Sequence, residues 1–209
     1  MQKTILVMFS GGLDSCYMLY YYLTQTDYAI HAHHISLRYP SEPRWSEEDR
    51  ACRQIVEYCR QIRSFDYSES RFDIGFKRYA GRDSDTQLLM AAQVAPNLRG
   101  RGHLAIGWEK SDFELEVNRQ RAKNKVTENL WNALCDSIDY PLGEHISRTI
   151  LFPLIEMDID KGKMIAALPN ELVEMTWSCR RPRKDESGIS QPCGKCKPCQ
   201  TIRFAKMSQ

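Results

Sequence analysis

The chain has 209 residues, of which 42% are hydrophobic and 27% charged, a balance that excludes a collagen-like chain and a mostly disordered one. At this length folding buries roughly 70% of the extended surface, so one large domain, or a domain with an appendage, needs no disulfide staples. Lys and Arg outnumber Asp and Glu by 29 to 27, a net +2, too little charge for a non-specific nucleic-acid coat although local basic patches remain compatible with it.

Residues 4–9 (TILVMF) form a nearly continuous apolar run, the pattern of a strand covered on both faces of a parallel sheet. Helical spacing follows from Leu13 to Leu23, and residues 28–37 (YAIHAHHISL) read as a second strand. Residues 38–45 hold two prolines and read as a loop. Residues 46–62 carry apolar Cys52, Ile55, Val56, Cys59 and Ile62 at helical spacing, with Ser46 and Asp49 resembling a capping box. Residues 65–74 hold a short third strand. A helix is expected over 83–95, opened by Asp83 or Ser84 and stopped before Pro96. Residues 103–107 (HLAIG) read as a fourth strand, the charged stretch 110–125 gives no clear element, and 126–138 reads as a helix. Residues 148–154 (RTILFPL) are a fifth strand candidate and 161–168 a short helix. The Pro-, Gly-, Lys- and Cys-rich tail from Cys179 reads as a knuckle, which divides the chain into an α/β body, 1–175, and an appendage, 176–209. Alternating strands and helices imply a parallel sheet with helices on both faces, and ligands of such sheets bind at the carboxyl ends of the strands.

No run reaches the ~18 apolar residues of a membrane span. The apolar stretch before Ser10 is shorter than the roughly 7–15 residues of a secretory signal, so the expected address is the cytoplasm. Eight cysteines in a reducing compartment then need another use. Cys16, Cys52, Cys59 and Cys135 are scattered as small core residues are. Cys179, Cys193, Cys196 and Cys199 crowd the last 31 residues, the latter three at CxxCxxC spacing. Four thiolates close a tetrahedral structural zinc site with no open position; an iron–sulfur cluster uses the same spacing. Arg180, Arg181, Arg183 and Lys184 lie between the ligands and offset the negative charge of such a site.

The first strand runs into Ser10-Gly11-Gly12-Leu13-Asp14-Ser15. Two glycines permit a sharp turn and close backbone approach, and the N–H groups at the start of the following helix favour an anion. Ser10 and Ser15 add hydroxyl donors. Asp14 is repulsive beside phosphates unless it bridges a Mg²⁺ ion or caps the helix. The hexapeptide is neither a Walker loop nor GxGxxG. It resembles the SGGxDS pyrophosphate loop of the ATP pyrophosphatase superfamily, whose members cut ATP between the α- and β-phosphates and adenylate an acid, carbonyl or carboxamide.

Thr176-Trp177-Ser178-Cys179, followed by Cys193-Gly194-Lys195-Cys196-Lys197-Pro198-Cys199, resembles the C-terminal signature of the 7-cyano-7-deazaguanine synthase family within that superfamily. Gly81-Arg82-Asp83, Ile106-Gly107 with Asp112, and Pro153 with Lys161 resemble further family segments, so the likeness spans nearly the whole chain. It implies a Rossmann-like, adenine nucleotide alpha-hydrolase-like fold with a zinc knuckle, and a homodimer. It also implies a reaction of queuosine biosynthesis, the conversion of 7-carboxy-7-deazaguanine and ammonia into the nitrile with ATP consumed; the alternatives are a related ligase that stops at the amide or uses another amine, a tRNA thiolation enzyme of the same superfamily, and a non-catalytic zinc knuckle that binds nucleic acid through residues 180–184 with ATP as a structural ligand. By the same resemblance Ser10, Gly11, Gly12, Leu13, Asp14 and Ser15 hold ATP, Mg²⁺ and Lys161 neutralise pyrophosphate, and Arg82 is a phosphate contact. Asp14, Lys161 and Arg82 are thus the candidate catalytic residues, and Cys179, Cys193, Cys196 and Cys199 the zinc ligands.

Two loops depart from the family. Ser36-Leu37-Arg38-Tyr39-Pro40 replaces a Tyr-Gly-Gln-Arg-His stretch, and residues 114–125 (ELEVNRQRAKNK) replace Tyr-Pro-Asp-Cys-Arg. Both lie where the acid should bind. Arg119 and Arg121 are candidates for a carboxylate fork or for a solvated helix face. His31 and His33 share a strand face as structural residues or as a metal pair, and Trp108 is placed either to stack on a base or to pack in the core.

Overall fold

A computed structural model describes residues 3–40, 42–73, 83–98, 102–139 and 148–207. Five parallel strands lie in the order β3-β2-β1-β4-β5. They are β1 (Thr4–Met8), β2 (Ala29–Arg38), β3 (Asp66–Asp73), β4 (Gly102–Ala105) and β5 (Ile150–Leu151). Strand β1 is central and buried along its whole length, as its unbroken apolar run requires. Alternate side chains feed two cores. Ile5 and Val7 face α1 (Leu13–Gln25), α2 (Trp45–Arg60) and later helices, while Leu6 and Met8 join residues of α3 (Asp83–Val94) and α5 (Val126–Asp139). Between β4 and α5 lie a 3₁₀ turn (Lys110–Glu114) and α4 (Glu116–Lys123).

The chain adds β2 and β3 on one side of β1, then crosses to add β4 and β5 on the other. This reversal between β1 and β4 opens a crevice at their carboxyl ends, where the loops leaving both strands diverge. Short helices α6 (Pro153–Glu156), α7 (Lys161–Ala167) and α8 (Asn170–Met175) close the body. The tail forms an antiparallel hairpin, β6 (Arg183–Lys184) and β7 (Ser190–Gln191), and a helix α9 (Lys197–Met207).

Several expectations change. Helix α2 has Arg44 at its N-cap with no side-chain cap, so Ser46 and Asp49 form no capping box; Asp49 instead accepts from His34 and Ser36 at 2.8 and 3.0 Å. The fifth strand shrinks to two residues because Pro153 opens α6, where its missing N–H costs nothing. Helix α3 ends at Val94, and a 3₁₀ turn (Ala95–Asn97) carries Pro96. The knuckle continues into the eleven residues of α9, with Pro198 tolerated in its first turn. His31 and His33 do share a face: both bond the Ser68 hydroxyl at 2.7 Å, and His33 also bonds Ser70 at 3.0 Å. Among the described residues no helix is long and apolar enough to cross a membrane.

Candidate active site and metal centre

The hexapeptide turns at the carboxyl end of β1. Gly11 has φ +71°, and a Cβ there would stand 3.0 Å from both the Cys52 backbone nitrogen and its Sγ, so the position requires glycine. Gly12 is the N-cap of α1, and the Cys16 N–H already donates to its carbonyl at 2.9 Å. The loop's own donors are held on long bonds to hydroxyls. Gly12 N–H reaches Ser10 Oγ at 3.4 Å, Ser10 N–H reaches Ser15 Oγ at 3.2 Å, and Leu13 N–H reaches Ser178 Oγ at 3.4 Å.

A cleft of 690 Å³ opens beside this loop, and Ser10, Gly12, Asp14, Ser15 and Lys161 all line it. Gly11 and Leu13 sit behind it, with Leu13 in the apolar core. Arg82 lies outside the described residues. Asp14 is no helix cap: its carboxylate is paired with the Lys161 ammonium from the first residue of α7. Lys161 also lies 3.4 Å from Glu109, whose backbone N–H donates to the Asp112 carboxylate at 3.0 Å. Burial raises the Asp14 carboxyl above its ordinary range, with Lys161 pulling the other way. Burial would lower the Lys161 value, but Asp14 and Glu109 outweigh it and hold the ammonium above the usual lysine range. Asp14, Glu109 and Asp112 thus surround one ammonium, and the corner is locally negative. Gly107 makes the approach close, since a Cβ there would meet Asp14 Cβ at 3.3 Å and Met18 Cε at 3.1 Å.

The cleft is also lined by a charged group centred on Arg44, a residue with no role expected from the sequence. Arg44 is only 7% exposed, and its guanidinium lies 2.5 Å from Asp83 and 3.5 Å from both Glu42 and Glu48. Arg180 reaches the same Glu42 and Asp83 at 3.8 and 4.0 Å. The only sequence signal for Arg44 was its place in a Pro-bounded loop after the second strand. Neither candidate fork arginine lines the cleft. Arg119 bonds Glu116 at 2.6 Å along the exposed face of α4, and Arg121 bonds Asp85 at 2.5 Å, tying α4 to α3. Trp108 lines the cleft and also packs against Phe113 and Phe152, with ring centroids 5.7 Å apart in each case.

Cys179, Cys193, Cys196 and Cys199 converge, with all four Sγ atoms within 4.8 Å of one another. A tetrahedral zinc with bonds near 2.3 Å needs sulfurs about 3.8 Å apart, so the donor set fits. Backbone N–H groups of Lys195 and Cys196 donate to Cys193 Sγ at 3.5 and 3.3 Å and push its thiol down to about 6, toward the thiolate a metal binds. Burial raises Cys179. All eight cysteines are free thiols. Burial pushes the Cys16 and Cys52 thiols well above their ordinary value and Cys59 up to about 12, which favours the neutral thiol of a packed core residue.

The cysteine cluster and the loop are joined. Ala51, Trp177 and Cys179 form a small core with the other three cysteines packed on it. Trp177 N–H donates to Gly11 O at 2.8 Å, and its indole N–H donates to Cys179 O at 3.0 Å. Segments 165 residues apart thereby build one wall of the cleft. No protein-family model matches this chain, and no curated protein matches it.

Proposed function

We propose that the chain is an ATP-dependent carbon–nitrogen ligase of the ATP pyrophosphatase type, converting 7-carboxy-7-deazaguanine and ammonia into 7-cyano-7-deazaguanine. The observation that carries the reading is the junction of the SGGLDS loop with the TWSC segment at a cleft that also receives Lys161. A Rossmann-like body, 1–175, with a zinc-binding segment, 176–209, belongs to the same proposal.

A carboxylate resists ammonia because it is anionic and its oxygen leaves poorly. In the proposed reaction the acid oxygen attacks the α-phosphorus of ATP and pyrophosphate departs. Ammonia then adds to the acyl carbon and AMP leaves, giving the amide. A second ATP activates the amide oxygen in the same way, and loss of AMP with two N–H protons yields the nitrile. The chain's part is positioning and charge. The Gly12 and Leu13 N–H groups and the Ser10 and Ser15 hydroxyls exchange their long internal bonds for polyphosphate oxygens. Lys161, held in place by Asp14 and Glu109, offsets charge growing on the leaving pyrophosphate. Asp14, Glu109 and Asp112 are the residues that would hold Mg²⁺, whose chemistry there is to neutralise the polyphosphate. Zinc on Cys179, Cys193, Cys196 and Cys199 would be structural, fixing Trp177 and Ser178 against the loop.

The test is AMP and pyrophosphate release with 7-carboxy-7-deazaguanine and ammonium supplied together or singly. Release that needs the acid supports the reading. An amide as end product would shorten the reaction to its first half, and no acid-dependent AMP would remove the proposed substrate.

A further inference from the structure

The small net charge of the whole chain hides a separation. Residues 176–209 hold eight Lys and Arg against two Asp and Glu, a net +6, while residues 1–175 hold 21 against 25, a net −4. Zinc on four thiolates would still leave the tail segment at about +4. Of its two acids, Asp185 is consumed inside the hairpin, accepting from the Ser187 and Ile189 N–H groups, the Ser187 hydroxyl and the Gln191 amide.

The charge is organised on α9. Its inner face, Ile202 and Ala205, packs on the body core. Its exposed face runs through Lys197, Gln200, Arg203, Phe204, Lys206 and Met207, with no acidic residue anywhere in the helix. Phe204 is 67% and Met207 72% exposed, set among these cations. At a rise of about 1.5 Å per residue, Lys197 to Met207 spans about 15 Å. The track begins at the cleft itself, since Lys197 lines it, as does Arg180 at the start of the same segment; the Glu114 carboxylate lies 3.6 Å from the Lys197 ammonium in an exposed pair that a phosphate would have to displace.

We infer that the exposed face of α9 binds single-stranded nucleic acid, with Lys197, Arg203 and Lys206 on phosphates and Phe204 as a stacking platform. An aromatic ring between cations is the pairing that single strands require, because every base offers a π-face and every link a negative charge. An acidic polypeptide matches the charge but makes no use of an exposed phenyl ring. This goes beyond the proposed reaction, whose substrates are small, and stands or falls separately from it.

The experiment is fluorescence anisotropy of the full zinc-loaded chain with a labelled single-stranded RNA of about 12 nucleotides. Three phosphate contacts predict an affinity that falls about twentyfold between about 50 and 200 mM salt. Arg203→Gln with Lys206→Gln should cost at least about tenfold at low salt and flatten that dependence. Phe204→Ala should cost at least about fivefold and leave the salt slope unchanged. Zinc content and Tm of each variant, expected to match the parent, show that the fold is intact. Absence of binding at low salt overturns the inference, as does binding that the intact double variant retains. Equal competition by polyglutamate also overturns it and assigns the face to an acidic protein instead.

Discussion

The Trp177 N–H donates to the Gly11 carbonyl across 2.8 Å, so the loop at the start of the chain and the cysteine cluster near its end share a hydrogen bond. Ser178 Oγ adds a second tie by accepting from the Leu13 N–H. A metal bound by the four cysteines would therefore act on the shape of the candidate nucleotide loop as well as on the tail. Removing zinc, by chelation or by Cys196→Ser, should lower Tm by about 10 °C, equivalent to about 3 kcal/mol in a chain of this size. ATP affinity should fall with it, and restoring zinc to the chelated protein should restore both. Calorimetry and ATP titration on the same samples check this; a zinc-free chain with unchanged Tm would separate cluster from loop.

Gly11 has the tightest steric constraint in the loop. Its positive φ and the 3.0 Å approach to Cys52 predict that Gly11→Ala costs about 1–3 kcal/mol and misplaces the turn. Urea unfolding measures the first effect. An alanine variant as stable as the parent would mean that the turn has a second conformation.

Lys161 is 15% exposed in its side chain and faces Asp14 and Glu109. If it offsets charge on departing pyrophosphate, Lys161→Met should reduce the rate of AMP formation about 10²–10³-fold. Lys161→Arg, which keeps the charge in a different shape, should recover part of it. The substrate KM should move far less than kcat, a split that a purely structural lysine would not produce.

Asp83 and Asp49 predict the acid limb of stability. Burial opposes ionisation at both, but the Arg44 ion pair at Asp83, and the His34 and Ser36 hydrogen bonds at Asp49, leave each carboxyl below its ordinary range. A depressed folded value stabilises the native state above the unfolded pKa of about 3.9, and that contribution is lost as pH falls through the folded value. Tm should therefore drop steeply below about pH 4. Asp83→Asn should lower Tm at neutral pH and make the acid drop shallower, since one titrating contribution is gone. An unchanged acid slope in that variant would assign the acid limb to other carboxylates.

Much of the body was legible because its signals are local. The apolar run at 4–9 could only be covered on both faces, and the order of strands and helices implied a parallel sheet. The cysteine spacing led directly to four sulfurs within 4.8 Å. What escaped depended on tertiary partners. Asp49 reads as a capping residue until His34 arrives from the neighbouring strand. Arg121 reads as solvated until Asp85 of α3 meets it. Arg44 has no motif, and its importance comes from three carboxylates supplied by different segments. Helix α9 was missed because cysteine, proline and glycine at its start masked the periodic Ile202 and Ala205 that follow.

The most direct test of the central claim is mass spectrometry of the purified chain incubated with 7-carboxy-7-deazaguanine, ATP, Mg²⁺ and ¹⁵N-ammonium. The expected product is a ¹⁵N-labelled nitrile, with AMP and pyrophosphate each formed twice per product molecule. ATP left uncut in the presence of the acid, or AMP formed with the deazaguanine unmodified, would contradict it.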